Sequence, residues 1–156
     1  MDEPRGYGHV AFVGGGAIGS YVGGRMALAG FDVTVIDPWG DHIDAIKRDG
    51  IALSGTQGQA TARLNALHIH EVQTLIRRPI DVAFIAMKSY DTEWATLLIK
   101  DYLATSSYAV SLQTGINEER IAKHLGWGRT LGCIASTIGV SLVEPGHVVR
   151  TYQPGG

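Results

Sequence analysis

The 156-residue sequence contains a single cysteine, Cys133, so an intrachain disulfide is excluded. Cys133 lies in an apolar run, where a buried, inert thiol is expected rather than a nucleophile. Long apolar stretches are missing too: runs such as Val82–Met87 are far too short to span a bilayer. There is no excess of positive charge, with 13 Lys and Arg against 15 Asp and Glu and a net charge of -2. That leaves no basic footprint for nucleic acid, and Trp39, Trp94 and Trp127 are scattered without a nucleic-acid pattern. The first residues, Met1-Asp2-Glu3-Pro4-Arg5, lack the basic-then-apolar order of a signal peptide. No repeat, low-complexity segment or linker interrupts the chain. These absences together lead us to expect a soluble, cytoplasmic, single-domain protein with no nucleic-acid or membrane partner.

What is present is ordinary globular material, 45% hydrophobic and 18% charged, with 21 glycines. A domain of this size buries roughly 70% of its unfolded-chain surface. The most informative stretch is His9–Gly19. An apolar run, Val10 to Val13, ends in Gly14-Gly15-Gly16-Ala17-Ile18-Gly19, and an alanine- and glycine-rich helix is expected over 17–29, closed by Gly30. In a strand–turn–helix, Gly14 permits the sharp turn, Gly16 lets backbone approach a pyrophosphate, and Gly19 lets the helix lie close to the sheet. Amide N–H groups and the positive helix end would then face phosphates. A second strand, Asp32–Asp37, ends in a carboxylate about 20 residues beyond the turn, the position that accepts hydrogen bonds from adenosine ribose hydroxyls. Asp37 would repel a 2′-phosphate, and residues 38–42 offer no Arg or Lys to hold one, so NADH is expected over NADPH. The alternative for Asp37 is a turn-forming role before Pro38.

Residues 1–8 form a loose lead-in, and 9–156 one domain. A short helix is expected over 41–48. Strands over 51–54 and 60–69 form a hairpin, and a short helix covers 71–77 before Pro79. A buried strand runs over 81–87, a helix over 92–103 and a strand over 108–113. Asn117 caps a helix over 118–125, with short strands over 130–136, 138–143 and 148–152. Small residues Gly16, Ser20, Gly23 and Ala27 recur on one helix face, consistent with close helix–strand packing. Alternating strands and helices predict an α/β fold, a doubly wound, mostly parallel sheet with helices on both faces and short antiparallel additions. Lys88 and Thr114 each follow a strand on the ligand-binding edge of such a sheet. Lys88 could reach a substrate carboxylate or carbonyl oxygen, and the Thr114 hydroxyl could bond cofactor or substrate. Neither residue type is diagnostic alone. His68 and His70 lack a third ligand nearby in sequence, so no metal is expected.

With these residues in view, the chain resembles the N-terminal dinucleotide domain of the ketopantoate reductases (2-dehydropantoate 2-reductases) over residues 9–152. The resemblance rests on Gly14–Gly19, on Met87-Lys88-Ser89-Tyr90-Asp91-Thr92, on Gln113-Thr114-Gly115-Ile116-Asn117-Glu118-Glu119, and on Glu144-Pro145-Gly146. It implies a Rossmann-type fold, NAD(P)H as cofactor, reduction of a small 2-keto acid such as ketopantoate, and a homodimer as an assembly to consider. By the same resemblance Lys88 matches the family's active-site lysine. Thr114 stands where the family usually has asparagine, a contact to cofactor and substrate. Asp37 stands where NADPH-preferring members carry a basic residue. Family members continue into a helical domain bearing the general acid. The sequence, ending at Gly156, therefore reads as the cofactor half of such an enzyme. Two alternatives stay open: a domain of another two-domain hydroxy-acid or opine-type dehydrogenase, and a non-catalytic dinucleotide sensor.

Overall fold

The computed structural model describes residue 6 and residues 8–151; most of the lead-in and the end of the last expected strand, Tyr152, lie outside the described residues. The first units are β1 (His9–Val13), α1 (Ala17–Leu28), β2 (Asp32–Asp37), α2 (Gly40–Asp49), β3 (Ile51–Gly55), β4 (Ala60–Ala62) and β5 (Asn65–His68). After a 3-10 segment, Ile69–Arg77, come β6 (Ile80–Ile85), α3 (Thr92–Ile99), β7 (Leu103–Leu112), α4 (Glu118–Leu125), β8 (Thr130–Cys133), β9 (Val140–Glu144) and β10 (His147–Arg150). Six strands form one sheet in the order β5-β2-β1-β6-β7-β8, every pair parallel. The other four form a small mixed sheet, β4-β3-β10-β9, in which β3 and β10 run parallel.

The apolar strands of a parallel sheet need cover on both faces. One core layer, including Val13, Ile85, Ile99 and Ile121, lies under α3 and α4. The other, including Phe12, Val35, Ile43 and Leu53, lies under α1, α2 and the second sheet. Helix α1 sits between two sheets, which accounts for its glycines more fully than the single small-residue face expected above. A Cβ on Gly23 would lie 3.2 Å from the Phe12 ring on one side. One on Gly24 would lie 3.2 Å from Leu53 on the other. Phe12 itself stacks on Phe84 of β6, with ring centroids 4.7 Å apart.

Several boundaries differ from expectation. The strand expected over 60–69 is two strands: Ala60–Ala62 pairs with β3, and Asn65–His68 crosses to join β2. The helix expected over 92–103 ends at Ile99, and Leu103 already belongs to β7. Pairing jumps from Ile80↔Leu103 to Val82↔Tyr108, so residues 104–107 bulge. Arg129 donates to the carbonyls of Ala104 and Ser107 at 3.0 and 3.1 Å, satisfying bulge acceptors that the ladder leaves free. Cys133 is exposed, not buried, because β8 is an edge strand in which only Thr130 is covered. No described helix is long and apolar enough to cross a membrane.

Candidate functional site

At the carboxyl ends of the parallel strands, Gly14 leaves β1 with φ +114, a conformation that favours glycine. A Cβ there would also lie 2.6 Å from the Ala86 carbonyl oxygen. A Cβ on Gly19 would fall 2.0 Å from the Gly14 oxygen, so the first turn of α1 can close on the glycine turn only without a side chain. Gly16 is different. The position of its missing Cβ has no atom within 4 Å, and it opens on a cleft of about 360 Å³. Gly16 is the N-cap of α1; no side chain caps the helix and no acidic residue sits in its first turn. The first turn itself therefore supplies no counter-charge to the positive helix end.

The cleft is lined on one side by Gly14, Gly16, Ala17, Ile18 and Asp37, and on the other by Lys88, Ser89, Asp91 and Thr114. The structure thus brings Asp37, Lys88 and Thr114 to one space from three strand ends, while Gly15 and Gly19 are buried beneath it. Asp37 has a defined structural part. Its Oδ2 accepts the Gly15 N–H at 2.7 Å and its Oδ1 accepts the Trp39 N–H at 2.8 Å. The turn-forming role before Pro38 is real, and the Gly15 amide is committed to this carboxylate, not free for a phosphate. Each carboxylate oxygen retains a lone pair for a further donor.

Lys88 follows the end of β6 by two intervening residues and is exposed; among the described residues it makes no ion pair. Its loop is held by a buried network that sequence reasoning missed. Gln113, 5% exposed, donates from Nε2 to the Met87 carbonyl and to Thr92 Oγ1, both at 2.8 Å, and accepts from Ser111 Oγ at 3.1 Å. Thr92 Oγ1 in turn donates to the Ser89 carbonyl at 2.8 Å, which Arg120 also reaches. Asn117 occupies the N-cap position of α4 but makes no side-chain cap, contrary to expectation. Its Nδ2 instead donates to the Thr114 carbonyl at 3.2 Å and Ser89 Oγ at 3.4 Å, fastening the β6 loop to the β7 loop. A signal for Gln113 did exist: an amide ending an apolar strand, inside a quoted motif, has to find partners.

His68 and His70 stack with ring centroids 5.2 Å apart, and His68 Nε2 lies 2.8 Å from Asp44 Oδ1. Among the described residues no group of three or more His, Cys, Asp or Glu is placed to hold a metal.

The parallel sheet order, with a glycine turn at the first strand–helix junction and a cleft at its carboxyl edge, defines a Rossmann-type domain. The family model described as Ketopantoate reductase PanE/ApbA matches residues 10–155. The chain belongs to the ketopantoate reductase family. It is 37% identical over 139 residues to a 2-dehydropantoate 2-reductase of Pyrococcus horikoshii, covering 89% of this chain and 43% of that one. It is 34% identical over 141 residues to that of Archaeoglobus fulgidus, covering 90% and 43%. The crystal structure of a PanE/ApbA family ketopantoate reductase from Ralstonia eutropha superposes with a TM-score of 0.78 at 29% identity, over 95% of this chain and 47% of that one. The chain spans less than half the length of these relatives.

Proposed function

We propose that this domain is the cofactor half of an NAD(P)H-dependent reductase acting on a small 2-keto acid, of which ketopantoate is the family's named substrate. The observation that carries the reading is the cleft at which Gly16, Asp37, Lys88 and Thr114 converge. The residues fit a dinucleotide: Gly16 leaves room where a pyrophosphate would approach, and the first turn of α1 holds no acidic residue. The Gly14–Gly19 turn would hold the pyrophosphate at Gly16 and the free amides of the α1 N-terminus, and Asp37 adds acceptance of a ribose hydroxyl to its bonds with Gly15 and Trp39. The bound nicotinamide supplies the hydride. Lys88, a cation without an ion-pair partner among the described residues, draws in the substrate carboxylate or carbonyl oxygen, and the Thr114 hydroxyl orients cofactor or substrate.

Two negative groups brought together at Asp37 repel, so NADH binds more tightly than NADPH. Calorimetric titration with both cofactors checks this; equal or tighter NADPH binding refutes it. Gly16→Val, monitored by circular dichroism, keeps the fold and loses dinucleotide binding. Retained affinity in the folded variant removes the phosphate-turn assignment.

A further inference from the structure

Beneath the glycine turn lies a buried histidine whose role follows from its bonds. His42, in the first turn of α2, is fully buried, as is Ser20 of α1. Ser20 Oγ donates its one proton to the Gly15 carbonyl at 2.7 Å. Toward His42 Nε2, 3.0 Å away, it can therefore only accept, so Nε2 carries a hydrogen. On the ring's other side the Gly146 amide donates to Nδ1 at 2.9 Å, so Nδ1 carries none. Both constraints select one species, the neutral imidazole with hydrogen on Nε2. The ring edge also packs under the turn: a Cβ on Gly15 would lie 3.2 Å from His42 Cδ2. Trp39 stacks over the ring at 5.5 Å, and its own amide is held by Asp37.

We propose that His42 is a positioning residue of the dinucleotide turn: as the neutral imidazole it fixes the Gly15 peptide through Ser20 and ties that turn to the Pro145-Gly146 turn between β9 and β10. This rests on the cofactor reading above. Gly15 is held through both of its peptide units, the N–H of the Gly14–Gly15 peptide by Asp37 and the carbonyl of the Gly15–Gly16 peptide by Ser20, so the orientation of the turn is set before cofactor arrives. The relay also gives a purpose to Glu144-Pro145-Gly146, which is far from the cleft in sequence. Gly146 takes φ +76, and its amide points at the ring. Protonation would place a second N–H against the Gly146 amide and break the link. Burial opposes that step, while the Asp37 carboxylate at the end of β2 favours it, and burial dominates. The relay's other partners on α1 and the β9–β10 turn, Ser20 and Gly146, are uncharged; Glu144 on that turn is engaged with His147.

The test compares NADH affinity of the 156-residue chain with that of His42→Phe, which keeps a ring but loses both bonds, and of Ser20→Ala, which removes only the middle link. Each variant should weaken NADH binding up to about tenfold, the scale of one hydrogen bond. The double variant should be no weaker than the worse single one, because both break the same relay. Wild-type affinity should fall on acidification, and the His42→Phe profile should be flatter. A folded His42→Phe chain with wild-type affinity and pH profile overturns the proposal. Nitrogen-15 NMR of the wild-type chain without cofactor decides independently. The proposal expects the Nε2–H tautomer and His42 titrating together with the Gly15, Gly16 and Gly146 amides. A titration at His42 that leaves the Gly15 and Gly16 amides unmoved overturns it. Failure of the wild-type chain to bind either cofactor would instead refute the cofactor reading, with the NMR result still deciding the relay.

Discussion

Gln113 and Lys88 show the two kinds of residue on which such a site depends. Lys88 is exposed and lines the cleft; Gln113 borders the same cleft but is buried, and its amide is bonded within the protein. Gln113→Ala leaves the Met87 carbonyl without the Gln113 donor, deprives Thr92 Oγ1 and Ser111 Oγ of the same partner, and opens a small cavity. A loss of about 1–3 kcal/mol in folding stability is expected, read as a lower denaturant midpoint with unchanged slope. An unchanged midpoint would show that the amide does not hold the loop. At this scale the sequence is legible for residues that the fold gathers at the cleft. The glycines, Asp37, Lys88 and Thr114 can be named because strand ends in a wound sheet point there. The partners of Gln113, Asn117 and His42 were not readable: a buried polar side chain is defined by its tertiary partners. Asn117 shows the cost of local reading, since its capping position is right and its bonding partner is not.

At the scale of elements, the β1–α1 turn separates glycines required by the fold from the one that leaves room for a ligand. Gly14→Ala forces a Cβ onto the Ala86 carbonyl at positive φ and should cost stability by several kcal/mol or prevent folding. Gly16→Val meets open space and should not. Thermal melts of the two variants side by side check the contrast; equal destabilisation would refute it. Element types along β1, α1, β2 and α2 were readable because local pattern and tertiary role agree. The strand expected over 60–69 was misread because a run that changes sheets at Arg63-Leu64 keeps its apolar pattern throughout. The bulge at 104–107 was invisible because Arg129, which satisfies it, lies more than twenty residues downstream.

For the whole molecule, two buried histidines set an acid limit. His9 Nδ1 lies 3.1 and 3.2 Å from the Arg78 and Pro79 carbonyls, and its Nε2 lies 2.8 Å from Thr34 Oγ1. Burial holds both His9 and His42 below the ordinary imidazole value of 6.5. In the unfolded chain they take up protons near that value, whereas in the fold they resist until lower pH. Their contribution to stability is therefore present above about pH 6.5 and is lost as the pH falls toward their folded values. Glu71 and Glu93, held below 4.5 first by Lys47 and Lys123 respectively, act only at lower pH. Urea midpoints should fall between pH 7.5 and 5.5; a flat profile there would refute the assignment. A protein of these 156 residues should also bind NADH yet reduce ketopantoate more slowly than about 1 per second. A positioned acid contributes about 10²–10⁴-fold, and Lys88, exposed at the rim, is assigned to orientation. Turnover in the ordinary enzyme range would show a complete site within this chain.

The parallel pairing of β3 with β10 joins residues 52–55 to residues 147–150, across almost the whole intervening fold. On a ribosome the β3–β4 hairpin emerges long before its partner, and an isolated two-stranded hairpin is marginal in water. One flank of the glycine-rich first helix then waits uncovered through the synthesis of β6, β7 and β8. The last described strand works as a clasp, and a pairing between partners so far apart in sequence raises the contact order, which slows folding.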